Sequence, residues 1–203
     1  LPGTKNTIAD LEYLCKHGID RQICSFGRNG KGLLIGVCGG YQMLGMCLCD
    51  SAGVESETKE IAGLGLLDVR TTFLTEKHLY QVEAVHLESG LPVHGYEIHM
   101  GETERGNDTR PAINILSRNS SEIASISDGA ISRDGKVWGT YIHGLFDDDA
   151  FRRHFIDSVR IRKGLRPIGG VTSRYDVDAE YDKLAAVLRE HLDMKKIYSV
   201  LGF

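Results

Sequence analysis

The chain has 203 residues, 41% of them apolar and 26% charged, with a formal charge of −4. That is enough for one domain with a sizeable core, and the mildly acidic balance leaves no basic footprint for nucleic acid. No apolar run reaches the ~18–20 residues of a membrane span, no signal-peptide pattern opens the chain, and the five cysteines suit a reducing cytoplasm better than a disulfide framework.

The opening LPGTKNTIADL lacks an initiator methionine and starts at what reads as a strand-to-loop boundary. We therefore expect a piece of a longer polypeptide whose feeding strand lies upstream. Asn6 or Thr7 caps a first helix with Ile8, Leu11, Leu14 and Cys15 as its apolar stripe, ended by Gly18. GRNGKG (27–32) reads as a glycine-rich loop feeding LLIGV (33–37), a buried parallel strand, and a helix is expected from Tyr41 to Cys49. Strands are expected at 63–73, 80–87, 93–103 and 112–118, followed by KVWGTYIHGLF (136–146), a strand ending in a turn. Asp147 or Asp148 caps a helix over 149–164 with Phe151, Phe155 and Val159 on one face. A loop over 163–175 precedes one amphipathic helix, 178–201, carrying Tyr181, Leu184, Leu188 and Leu192. This order predicts an α/β sheet with a partly antiparallel extension.

GVCGGYQMLG (36–45) carries the chemistry. A cysteine at the point where strand becomes helix, flanked by Gly36, Gly39 and Gly40, is the pattern of a nucleophile elbow. There the tight turn exposes the side chain, the helix start favours thiolate, and the Gly39 N–H faces a developing oxyanion. Cys15, Cys24, Cys47 and Cys49 read as ordinary packed cysteines. A cysteine nucleophile needs a base, and of eight histidines His143 fits best, at a strand end before Gly144, on the sheet edge where open α/β folds keep their sites. The sulfur of Cys38 and a ring nitrogen of His143 are then expected within about 4 Å, loosely hydrogen-bonded. His154 and His191 fall within helices. His94 and His99 are five apart on a strand, so they face opposite sides, and Cys47-x-Cys49 has no matching histidine spacing; no metal is expected. GRNGKGLL mimics a phosphate loop, but Gly32 takes the place of the required Ser/Thr.

LPGTKNTIADL, GVCGGYQMLG, GLGLLDV, GYEIHMGET and VWGTYIHGLFDDDAFRRHF, in this order and over nearly the whole chain, resemble the class I (triad-type) glutamine amidotransferase domain of the cobyric and cobyrinic acid synthase branch. The resemblance implies a flavodoxin-like, mostly parallel sheet with helices on both faces, and one amidotransferase domain over 1–203. It implies that Cys38 attacks the side-chain amide of glutamine and that His143 moves the protons. Gly39 and the Gly3–Thr4 turn match oxyanion-hole positions, and Gln42 matches a contact to glutamine. GYEIHMG matches the other wall of the pocket, so Tyr96, Glu97 and His99 are candidates for binding or supporting roles. Most triad enzymes carry His-x-Glu; here His143-Gly144-Leu145 has no such carboxylate, as in this branch generally, and Glu97, Asp147 or a backbone carbonyl stay open as the orienting group. No cofactor is expected in this domain. ATP and Mg²⁺ are expected on an upstream synthetase domain of the same polypeptide. That domain would amidate the b, d, e and g carboxylates of its corrinoid substrate, adenosylcobyrinic acid a,c-diamide, with the ammonia. A sister amidotransferase serving another acceptor, and a catalytically silent interaction domain, are the alternatives. Neither nucleic acid nor membrane is expected as a partner.

Overall fold

Asn6 starts helix α1 (Thr7–Lys16): its Oδ1 accepts the Ala9 amide at 2.9 Å, a partner the first helical turn otherwise lacks. The computed structural model describes residues 1–30 and 32–202. After Gly18 the chain turns into a second helix, α2 (Ile19–Asn29), which the sequence reading did not foresee. Part of the expected loop at 27–32 belongs to it. Gly27 is there for close packing, since a Cβ would sit 3.0 Å from Leu66 Cδ1 and 3.2 Å from Leu34 Cδ2; Lys31 of that stretch lies outside the described residues.

Strand β1 (Leu34–Val37) leads directly into helix α3 (Gly39–Leu44). The helix expected through Cys49 stops early. Gly45 is extended, the Met46 amide bonds to Val69 O at 2.8 Å, and the following residues join a sheet as β2 (Cys47–Cys49). Next come β3 (Glu60–Ala62), β4 (Val69–His86), β5 (Pro92–Arg105), β6 (Thr109–Arg110), β7 (Ile113–Arg118), β8 (Ser121–Asp128) and β9 (Ala130–Ser132). The strands expected at 63–73 and 80–87 are one long strand, β4, that starts only at Val69. Asn119 and Ser120, both at positive φ, form a two-residue hairpin loop between β7 and β8. The segment 136–146 breaks at Tyr141 into β10 (Val137–Thr140) and β11 (Ile142–His143), which belong to different sheets. Helix α4 (Asp149–Arg162) follows.

One sheet has the order β1-β10-β9-β6. In the other, β11-β5-β4-β2-β3, one edge of β4 also pairs with β7, and β7 with β8. The class is α/β as expected, but its antiparallel share is larger than an extension. Among the described residues only β1–β10 and β2–β4 run parallel, because the long β4–β5 hairpin organises the second sheet. Neighbouring residues of a strand face opposite sides. Accordingly Val137 and Ala130 pack with Ile8, Leu11, Tyr41 and Leu44 of α1 and α3, whereas Trp138 and Ile131 pack with Val82, Ile113, Ile142 and Phe151 of the second sheet and α4. The first sheet is thus covered by helices on one face and by the second sheet with α4 on the other.

Residues 1–170 and 171–203 form two compact units. The second contains α5 (Val177–His191) and α6 (Met194–Leu201) rather than one helix. Leu192 is extended, and Asp193 caps a new start by accepting the Lys196 amide at 3.1 Å.

Candidate active site

Cys38 occupies the single residue between β1 and α3, with φ 53° and ψ −117°. An L-residue held there costs of order 1–3 kcal/mol, and the packing of the turn enforces it. A Cβ on Gly36 would lie 2.6 Å from both Gly40 O and Tyr41 N, and one on Gly39 would lie 2.5 Å from Thr4 Cγ2. The glycines are therefore needed so that α3 can start against the strand that feeds it and against the Gly3–Thr4 turn. Leu1 lies beside β1, its nitrogen bonding to Ile35 O at 2.7 Å and its carbonyl accepting Val37 N at 3.0 Å, which fixes that turn over the elbow.

His143 ends β11, directly opposite Tyr96 of β5. It reaches the same spot as Cys38: a Cβ built on Gly3 would be 3.1 Å from His143 Cε1 and 3.3 Å from Cys38 Cβ. Both side chains line one cavity of about 500 Å³ with Gly3, Thr4, Gln42 and Glu55. The thiol, however, is not bonded to the imidazole. It donates to the Ile98 carbonyl of β5 at 3.2 Å, while His143 Nε2 is buried with no hydrogen-bond partner among the described residues. The expected thiol–imidazole bond is thus replaced by a bond to β5 backbone.

The electrostatics follow from burial. Burial pushes the Cys38 thiol above its ordinary value, helped by Glu55 and opposed by the Gly39 N–H and Lys77. Burial also lowers the His143 imidazole below 6.5. Both groups are therefore neutral at pH 7, a thiol beside a free base.

Gln42 is buried: its Oε1 accepts Thr7 Oγ1 at 3.0 Å and its Nε2 donates to the Tyr141 hydroxyl at 3.2 Å. Glu55 was not singled out by the sequence. It arrives on the loop between β2 and β3, shaped by Asp50, whose carboxylate accepts the amides of Val54, Glu55 and Ser56 at 2.7–2.9 Å. Its own carboxylate accepts Thr7 N at 2.6 Å at the start of α1. Burial nonetheless raises the Glu55 carboxyl. The only signal for it was Asp50 followed by a short polar segment, which also reads as an ordinary loop.

Tyr96 and Glu97 do not line this cavity. Tyr96 is half exposed on β5. Glu97 is buried in a second cavity, of about 360 Å³, where Arg118 Nε and Nη2 donate to its two oxygens at 2.7 Å each and His99 Nε2 lies 3.1 Å from Oε1. Burial alone would raise this carboxyl, but His99 and Arg118 outweigh it and hold it below the usual carboxylate range. Its oxygens are thus committed elsewhere and do not orient His143. The Asp147 amide bonds to Gly144 O at 2.8 Å, and no hydrogen bond joins Asp147 to His143 among the described residues. His99 lines both cavities, its ring stacked on Tyr141 with centroids 4.1 Å apart.

The chain has relatives among known proteins. The chain is 45% identical to the cobyric acid synthase of Thermoanaerobacter sp. (strain X514), with 99% of it aligned, and 43% identical to that of Clostridium acetobutylicum, with all of it aligned. It spans 41% and 40% of the length of these two relatives. A crystal structure of a glutamine amidotransferase shares the fold, with a TM-score of 0.52 at 15% identity, over 81% of this chain and 77% of that one. Residues 1–151, which include the elbow, the hairpin and His143, match the CobB/CobQ-like glutamine amidotransferase domain. With that match over about three quarters of its length, and with an elbow cysteine and a half-buried imidazole on one cavity, the chain belongs to that family of glutamine amidotransferase domains.

Proposed function

We propose that Cys38 and His143 hydrolyse glutamine, and that the chain is the glutaminase part of a longer cobyric acid synthase. The observation that carries this reading is the convergence on Gly3 of Cys38 Cβ and His143 Cε1, with His143 Nε2 left unpartnered. A buried orphan nitrogen is costly unless a reacting group satisfies it during turnover. A glutamine amide entering the cavity draws the thiol from the Ile98 carbonyl. His143 Nε2 takes the thiol proton as sulfur attacks the amide carbon, and the Gly39 N–H stabilises the oxyanion. His143 returns the proton to the departing nitrogen, giving ammonia and a γ-glutamyl thioester. Water, deprotonated by His143, then cleaves the thioester to glutamate and restores the thiol. Gly3, Thr4 and Gln42 shape the binding side, and Tyr96 and Glu97 support the β5 wall from outside the cavity.

The relatives' name supports the acceptor side of the reading. A synthetase portion holding ATP and Mg²⁺ would use the ammonia to amidate the b, d, e and g carboxylates of adenosylcobyrinic acid a,c-diamide. The test is Cys38→Ala in the complete synthase. Glutamine-dependent amidation is lost while amidation with added ammonium salt persists; failure of ammonium to rescue the variant refutes the division of labour.

A further inference from the structure

Cys47-x-Cys49 reads as two packed cysteines in the sequence, because no histidine stands at a useful spacing. The fold supplies a different third ligand. Cys47 and Cys49 are two apart on β2 and so share a face; Glu60 of β3 pairs with Cys49, and Arg70 of β4 pairs with Cys47, on that same face. The two sulfurs are 3.4 Å apart, and Cys47 Sγ is 3.0 Å from Glu60 Oε1. All three ligand atoms lie within 4.8 Å of one another.

We propose that Cys47, Cys49 and Glu60 form a site for a thiophilic divalent cation such as Zn²⁺ or Cd²⁺. Sulfur ligands about 2.3 Å from such an ion at tetrahedral angles stand about 3.8 Å apart, and a sulfur and a carboxylate oxygen about 3.5 Å, so the sulfur–sulfur and Cys47–Glu60 separations need each open by only about half an ångström. Two thiolates and a carboxylate carry three negative charges. A divalent cation and Arg70, whose Nη1 lies 3.8 Å from Cys49 Sγ and 3.6 Å from Glu60 Oε1, cancel them. Cys47 is buried and the Glu60 side chain is 63% exposed, so the fourth position opens to solvent for water. On binding, two metal–sulfur bonds form and the two thiol protons leave to solvent; nothing is oxidised or reduced. Cys49 and Glu60 bracket the 50–59 loop that carries Glu55 to the Cys38 cavity, so the cation ties the neck of that loop.

The test is titration of the full chain with Cd²⁺, read by the ultraviolet thiolate-to-cadmium charge-transfer band and by proton release in weak buffer. The site predicts one equivalent bound with two protons released, full retention in Cys38→Ser, and loss in Cys47→Ser/Cys49→Ser. Glu60→Gln, altered on the exposed side, weakens binding at least about tenfold. A band that vanishes in Cys38→Ser, one that survives in Cys47→Ser/Cys49→Ser, no band at all, or unchanged affinity in Glu60→Gln overturns the proposal.

Discussion

The two cavities that meet at His99 treat their polar groups in opposite ways. Around Glu97 the two buried carboxylates are matched: Glu97 takes a two-pronged bond from Arg118 and a third contact from His99, and Asp128 accepts Thr140 Oγ1 and the Tyr141 amide. Around Cys38 the backbone is strained, the thiol rests on a carbonyl, and the His143 Nε2 atom has no partner among the described residues. Matched groups fix shape, and unmatched ones are poised to react. In this fold the first set holds β5 and Tyr141 rigid while the second is presented from the elbow and from β11.

Several substitutions sharpen that contrast. Cys38→Ala should remove glutaminase activity altogether while leaving the melting temperature unchanged or higher, since it deletes the proposed nucleophile and no native partner contact except the Ile98 carbonyl. A kinetic assay with calorimetry checks both. His143→Asn should slow glutamine hydrolysis by about 10²–10⁴-fold, the usual worth of a positioned general base, with little loss of stability. A near-normal rate eliminates it as the base. On the matched side, Arg118→Met leaves Glu97 short of its main partner and should cost about 3 kcal/mol in urea unfolding. A change under half of that shows the pair to be ornamental.

Asp128 gives a pH signature. Burial raises its carboxyl from 3.8 to about 6, so the folded state binds the proton more tightly than the unfolded chain. Its favourable contribution is full below the unfolded value and is lost as pH rises from about 4 through about 6. Relative to wild type, Asp128→Asn should gain roughly 2–3 kcal/mol across that window. Parallel denaturation curves for the two proteins at pH 4 and 7 contradict this. The smallest expected effect is on the acid limb of kcat/KM. It should fall below pH 6.5, the ordinary imidazole value, because burial lowers His143; a limb above pH 7 shows a different essential base.

The elbow was legible in the sequence because its cause is local: three glycines around Cys38 have no cheaper explanation than close approach of helix to strand. His143 was legible from its place before Gly144 at a strand end. The β-rich centre was harder to read. β2 was mistaken for helix because CLCD follows a genuine helical turn and its justification is pairing with β3 and β4, more than ten and more than twenty residues later. Gly27 suggested a loop, yet it serves packing between α2 and Leu66, which no local pattern reveals. Glu55 and Glu60 were invisible for the same reason, since their neighbours at α1 and on β2 are set by tertiary contacts. Glu97 was noticed, but its commitment to Arg118 depends on a strand pairing that the sequence does not display.

The most direct measurement is covalent labelling of the full chain with diazo-oxo-norleucine, mapped by peptide mass spectrometry across all five cysteines. The structure predicts one adduct, on Cys38, suppressed by excess glutamine and much slower in His143→Asn. An adduct on Cys15, Cys24, Cys47 or Cys49 in its place, or a labelling rate that ignores His143, contradicts the pairing of these two residues in one reacting site.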